Sequence, residues 1–240
     1  MHIVERPSPN RGPRRGGVRP DMVVIHYTAM ASAEAAVRRL CAPEAEVSAH
    51  YLVAEDGTVV RMVDEDARAW HAGAGAWGEV SDVNSRSIGI ELANDAASPF
   101  PEAQMAALEA LLQGIMGRWH VSPCRVIGHS DTAPGRKIDP GPRFDWRRLA
   151  LRGLTVWPGA SAVPDSPVSG EEGPRGTDAA RLTAALRRCG YTADAAPDVL
   201  LAAFRLRVRP HALGPADAVD LALAEDMARR FPVDRVRASA

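Results

Sequence analysis

Gly128-His129-Ser130-Asp131-Thr132-Ala133-Pro134-Gly135-Arg136-Lys137-Ile138-Asp139-Pro140-Gly141 follows a short apolar run, Val126-Ile127. The stretch holds a histidine, two aspartates and a lysine, and the Gly and Pro that punctuate it disfavour regular structure. Polar side chains held by turns at the end of a buried strand are more often functional than those on a helix surface. Their types, His with Asp, suit a metal-assisted site whose other parts lie elsewhere in the chain.

Working outward, Met22-Val23-Val24-Ile25-His26-Tyr27-Thr28 reads as a β-branched strand. Alternation places Val24 and His26 on one face and Val23, Ile25 and Tyr27 on the other. Ser32 to Leu40 has helical spacing. His50 to Ala54 and Thr58 to Val63 flank Glu55-Asp56-Gly57 and predict a hairpin. Ala69 to Gly78, rich in small residues with two tryptophans, reads as a loop lining a groove. Ser87 to Ala93 predicts a buried strand with Glu91 inside it, Pro101 to Trp119 an amphipathic helix, Arg125 to Ile127 a strand, and Phe144 to Leu151 a closing helix. Residues 5 to 20, rich in Pro, Gly and Arg, read as a loosely held lead-in. Strands alternating with helices indicate an α/β fold, a central mixed β-sheet flanked by helices.

Residues 155–177 are rich in Pro, Gly, Ser and acidic residues and read as a linker. Beyond it, helical apolar spacing from Ala179 and after Pro197 and Pro215 predicts a small three-helix domain with a thin core. The expected organisation is therefore an α/β domain over 1–154 that carries the candidate site, a linker over 155–177 and a helical domain over 178–240.

The totals narrow the function classes. The 240 residues are 46% apolar, and 29 Lys plus Arg nearly balance 30 Asp plus Glu, so no bulk field draws the chain to nucleic acid or an anionic membrane. No apolar run is long enough to span a bilayer, and no basic segment followed by an apolar stretch opens the chain. A cytoplasmic protein is expected, with export by another route as the alternative. Cys41, Cys124 and Cys189 are few and far apart and read as buried small apolar residues rather than a disulfide framework.

His129 and Asp139 are candidate metal ligands, and His26, at the end of a buried strand, is the most informative third. The bland alternative for His26 is a core histidine satisfied by one hydrogen bond. Asp131 could ligate too, but its position before Thr-Ala-Pro-Gly favours turn formation. Lys137 and Asp139 are two apart, so in extended chain they point the same way, and Lys137 suits an oxyanion stabiliser or a solvated surface cation. Glu91 is the candidate general base, with Gly89 and Ala93 leaving room beside it. An unpaired carboxylate in mid-strand is costly to bury, and a salt bridge with Arg86 is the alternative.

Together, Val24-Ile25-His26, Val47-Ser48-Ala49-His50-Tyr51, Asp56-Gly57-Thr58, Ala69-Trp70-His71-Ala72-Gly73, Asn84 with Ile88 to Leu92, and Gly128-His129-Ser130-Asp131 through Gly141 resemble the zinc-dependent N-acetylmuramoyl-L-alanine amidases of the AmpD/AmiD type. These are related to phage amidase lysozymes and animal peptidoglycan-recognition proteins. The resemblance covers about residues 20 to 150. It implies Zn2+ on His26, His129 and Asp139, Glu91 as the acid/base residue, and Lys137 as the oxyanion stabiliser. The implied substrate is peptidoglycan or a muropeptide, cut between N-acetylmuramic acid (or its 1,6-anhydro form) and L-alanine in wall turnover or recycling. His50, Trp70, His71 and Ala133 match positions near the groove, for substrate contact or support of the ligands. Phage-type relatives commonly carry Cys as third ligand, where this chain has Asp139. They also tend to place Tyr before the histidine matched by His50, where this chain has Ala49. The C-terminal segment resembles a three-helix peptidoglycan-binding domain through Leu186 to Tyr191 and Ala202-Ala203-Phe204. A non-catalytic wall-fragment binder of the same fold is the competing expectation, but such relatives usually lack a ligand. A metalloprotease of another class has no H-E-x-x-H to support it.

Overall fold

The computed structural model describes residues 2–159 and 176–234. Its centre is a six-stranded mixed sheet. In sequence order the strands are β1 (Ile3–Glu5), β2 (Arg11–Pro13), β3 (Met22–Tyr27), β4 (Tyr51–Val53), β5 (Val59–Arg61), β6 (Ala67–Ala69), β7 (Ser87–Leu92) and β8 (Val126–Gly128). The sheet runs β1-β5-β4-β7-β3-β8, while β2 and β6 form a separate antiparallel pair. Only the β4–β5 hairpin, predicted from its Asp-Gly turn, is antiparallel within the large sheet.

The helices are α1 (Ala33–Cys41), α2 (Val83–Arg86), α3 (Glu102–Trp119), α4 (His129–Thr132), α5 (Trp146–Leu151), α6 (Gly176–Cys189), α7 (Pro197–Val208) and α8 (Ala218–Arg230). Ser32 caps α1 by accepting from the Ala35 amide, an interaction that stabilises a helix by about 1 kcal/mol. One sheet face, with Val23, Ile25, Ile88, Ile90 and Leu92, is covered by Met105, Leu108, Leu112 and Ile115 of α3. Full burial of each such side chain is worth roughly 1.5–3 kcal/mol. The other face is covered in two pieces. Ala36, Val37 and Leu40 of α1 pack on Leu52 and Val60, and the C-terminal helices pack on Met22, Val24 and Ile127. A cleft opens between those two pieces.

Away from the cleft, the structure departs from the sequence expectations in the lead-in, the helical core and the cysteines. The lead-in is tied down. β1 pairs with β5, Ser8 donates to the Leu40 carbonyl (2.6 Å), and buried Arg14 donates to the carbonyls of Ser85 (2.8 Å) and Ser87 (3.0 Å). Helices α6, α7 and α8 appear where expected, yet their core is not thin, because Leu182, Leu186, Leu200 and Phe204 join one cluster with Val24, Trp77 and Ile127 of the sheet side. Three short helices have more apolar surface than they can bury among themselves, and the uncovered sheet face takes the remainder. Of the expected linker, residues 160–175 lie outside the described residues. The cysteines are free, but only Cys189 is buried, its thiol pushed up to about 12 by burial. Among the described residues no helix is long and apolar enough to cross a membrane.

Candidate active site

The parallel strands β3, β7 and β8 end at the same edge, where α/β sheets commonly place their ligands. Register does the assembly. His26 on β3 lies opposite Glu91 on β7, and Ile25 opposite Gly128 on β8, so His129 emerges beside His26. The stretch after β8 contains one helical turn, α4, rather than loop throughout, because its Gly and Pro fall after Ala133. Asp139 returns at the far end of that loop, its carbonyl accepting from the Ser130 amide (2.9 Å). His26, His129 and Asp139 thereby converge. Nδ1 of His26 lies 3.0 Å from Nδ1 of His129 and 2.9 Å from Oδ2 of Asp139, and His129 Nδ1 lies 3.1 Å from the same oxygen.

The protons on these rings follow from their outer partners. Nε2 of His129 faces the Ala72 carbonyl at 2.9 Å, so it carries the hydrogen and the neutral ring leaves Nδ1 bare. Ser87 Oγ donates to the Val83 carbonyl (2.5 Å) and therefore accepts from His71 Nε2 (3.2 Å). His71 Nδ1 then accepts from His26 Nε2 at 3.0 Å, which leaves His26 Nδ1 bare as well. Burial first, and then the neighbouring His129, lowers the His26 pKa to about 4, and burial holds His71 well below its ordinary value. Burial alone would raise Asp139, but its two histidine neighbours outweigh it and hold the carboxyl below the usual range. Three lone-pair donors thus face one another in a buried space, an arrangement that a cation between them would satisfy.

Glu91 is half-buried as a residue, but its Oε2 is buried and has no hydrogen-bond partner among the described residues. Burial, helped by the Asp139 carboxylate and offset by the Lys137 ammonium, pushes its pKa well above the ordinary value. The alternative partner is engaged elsewhere, since Arg86 pairs with Asp21. The room left at Gly89 is taken by His71. A Cβ there would stand 2.4 Å from the His71 ring, so the missing side chain is what lets His71 stand behind His26. Lys137, the only lysine in the sequence, lines the cleft together with Glu91, His26, His129 and Asp139. The cleft has a volume of about 760 Å³.

The four groove positions separate. Trp70 and His71 line the cleft. His50 does not reach it: the ring is fully buried, its Nδ1 accepts from the Gly89 amide (2.9 Å) and its Nε2 faces the Ala67 carbonyl (3.2 Å). Ala133 is buried too, its carbonyl holding the amides of Arg136 (3.1 Å) and Lys137 (3.0 Å). Trp77 belongs to the core against Tyr191 rather than to the groove. Two residues with no role read from the sequence prove to position others. Ser87 fixes the His71 tautomer, and Asn84 Oδ1 accepts from the amides of His71 (3.0 Å) and Ala72 (2.8 Å). Only the place of Asn84 in the quoted pattern hinted at this. Asp131 was expected to form the turn, and it accepts from the Gly128 amide (2.8 Å), but it also binds Tyr191 and Arg207.

Residues 16–142 match the N-acetylmuramoyl-L-alanine amidase family. The N-acetylmuramoyl-L-alanine amidase AmiD of Escherichia coli (strain K12) is 35% identical over 237 residues, 89% of this chain and 84% of that protein. The 1,6-anhydro-N-acetylmuramyl-L-alanine amidase AmpD of Enterobacter cloacae is 36% identical over 160 residues, 60% of this chain and 86% of that one. The structure is similar to that of E. coli AmiD in complex with the substrate anhydro-N-acetylmuramic acid-L-Ala-D-gamma-Glu-L-Lys, with a TM-score of 0.79, 34% identity, and coverage of 91% of this chain and 93% of that one. It is also similar to AmpDh3 from Pseudomonas aeruginosa in complex with anhydromuramic pentapeptide, with a TM-score of 0.78, 30% identity, and coverage of 92% and 96%.

Proposed function

Because the chain belongs to the N-acetylmuramoyl-L-alanine amidase family, we propose that its cleft hydrolyses the amide between the lactyl group of (anhydro-)N-acetylmuramic acid and L-alanine of the stem peptide, in wall recycling. One observation carries the reading. Three bare donors, on His26, His129 and Asp139, converge beside an unpartnered carboxylate and the only lysine of the chain.

The donor set fits zinc, with two imidazole nitrogens and a carboxylate oxygen as its ligands. When bound, zinc supplies Lewis acidity, lowering the pKa of a water to about 7 and polarising a carbonyl. The chain's own groups do the rest. Glu91 Oε2 takes a proton from the water as its oxygen bonds to the lactyl carbonyl carbon. The raised pKa of Glu91 lets it hold that proton and return it to the alanine nitrogen as the C–N bond breaks. Lys137 donates to the carbonyl oxygen as negative charge develops there. Trp70 forms a cleft wall against which the muropeptide packs.

All three ligands and Glu91 are present, which favours catalysis over fragment binding alone. The cytoplasmic setting read from the sequence belongs to this proposal, and fractionation of the host cell tests it. The activity is tested by incubating zinc-loaded protein with anhydro-muropeptide and, in parallel, intact sacculi, followed by mass spectrometry. Free stem peptide, faster from the anhydro-muropeptide, is the expected product. No cleavage of either by fully metallated protein would overturn the enzyme reading.

A further inference from the structure

The helical segment after residue 176 reaches into the catalytic turn through one buried carboxylate. Asp131 lies two residues after His129, and both its oxygens are engaged. Oδ2 accepts from the Gly128 amide (2.8 Å) and from Arg207 Nη1 of α7 (3.1 Å), and Oδ1 accepts from the Tyr191 hydroxyl (2.6 Å). The side chains of Arg207 and Asp131 are only 4% and 1% exposed, so this ion pair is screened from water. Arg207 is itself gripped. Its Nη2 donates to Thr155 Oγ1 (2.5 Å), and its guanidinium lies 4.2 Å from the centre of the Trp146 ring. The same segment meets the site elsewhere. Gly135 of the catalytic loop sits so close to Val199 that a Cβ would stand 2.8 Å from it. Away from the cleft, the Gly78 amide donates to the Gly190 carbonyl (3.0 Å).

We propose that the C-terminal helices clamp the catalytic turn, with Tyr191 and Arg207 as positioning residues that act through Asp131 to aim His129. Where the metal enters, the clamp rests on the zinc reading above, but it also makes a claim about the metal-free protein. Breaking it frees the Gly128 amide and lets the α4 turn, and His129 Nδ1 with it, wander from the other two donors. A segment of this kind would be required for turnover even on a small soluble muropeptide that offers no polymer to grip.

The same helix contains its own control. Arg205, two residues before Arg207, is equally buried and pairs with Asp220 (Nε to Oδ1, 3.1 Å) and the Gly214 and Pro215 carbonyls, all inside the helical segment. The full chain is therefore compared as wild type, Arg207→Lys, Tyr191→Phe and Arg205→Lys. Thermal unfolding is measured, with amide hydrogen exchange over 128–133 on metal-free protein, zinc affinity by chelator competition, and kcat with KM. Arg207→Lys and Tyr191→Phe should speed exchange at Gly128 and weaken zinc binding by about tenfold, the lower end of what loss of a ligand's outer support costs. They should lower kcat more than they raise KM. Arg205→Lys should lose comparable thermal stability while exchange, zinc affinity and kcat stay within about twofold. The clamp is overturned if exchange at Gly128 and zinc affinity follow thermal stability alike in all three variants. Should Arg207→Lys fail to fold, Tyr191→Phe, which keeps its ring against Trp77 and Phe204, decides alone. Wild type that binds no zinc, with exchange still responding as described, would sink the metal reading and leave the clamp standing.

Discussion

His26 and His50 are buried alike, 2% and 0% exposed, on neighbouring parts of one sheet. Burial depresses both, to about 4 and about 3. Yet one opens a site and the other closes a core. Both ring nitrogens of His50 are spent, Nδ1 on the Gly89 amide and Nε2 on the Ala67 carbonyl beside the Arg14 guanidinium. His26 spends only Nε2, on His71, and turns a bare Nδ1 toward two further donors. Neither burial nor depressed basicity marks a functional histidine. The lone pair left over after the hydrogen bonds are assigned does.

The largest effect that would sharpen this contrast comes from the other unspent group. Glu91→Gln should lower kcat by about 10²–10⁴-fold while zinc binding is retained, as expected for a lost general base. Loss of zinc together with activity, read by metal analysis, would make Glu91 a ligand instead. Lys137→Met should cost about 10²–10³ in kcat with zinc stoichiometry unchanged, the range for removing one oxyanion donor. An unchanged kcat would return the lysine to the solvated surface.

Next comes the support behind His26. His71→Ala should weaken zinc affinity by about 10–100-fold in chelator competition. Gly89→Ala should do the same by displacing the ring, because its Cβ would stand 2.4 Å from it. The smallest effect on the site belongs to His50. His50→Ala should leave zinc stoichiometry intact and cost about 1–3 kcal/mol of stability, the penalty for unpaired buried backbone groups. The contrast breaks if His50→Ala abolishes zinc binding and His71→Ala does not.

His50 also makes an acid prediction. Its pKa falls from 6.5 to about 3 on folding, so the unfolded chain binds the proton first. Its contribution is complete above about 6.5 and is lost as pH falls toward 3. Denaturant titrations across that window should show a shallower slope for His50→Gln than for wild type. His26 and His71 are depressed in the same sense and leave a residual slope in the variant.

Much of this was legible in the sequence wherever a pattern is local. β-Branched alternation located β3 and β7, Asp-Gly located the hairpin, and the residues that the structure brings together stood out as His26 and Glu91 within buried strands and His129 and Asp139 in the loop after β8. Legibility failed where side chains bond backbone far away in the chain. Arg14 reaches carbonyls some 70 residues distant and Ser8 reaches one 32 away, and neither leaves a periodic trace. Asp131 looked like a turn former because its other partners, Tyr191 and Arg207, lie 60 and 76 residues on. His50 and His71 could not be told apart for the same reason. What separates them is which backbone groups fold against each ring.

The most direct test is X-ray absorption at the zinc edge of the zinc-loaded protein, with metal content measured on the same sample. One zinc per chain is expected, coordinated by two imidazoles and oxygen donors, with that signal lost in Asp139→Ala. A sulfur shell from Cys41, Cys124 or Cys189, or an unchanged spectrum in Asp139→Ala, would contradict it.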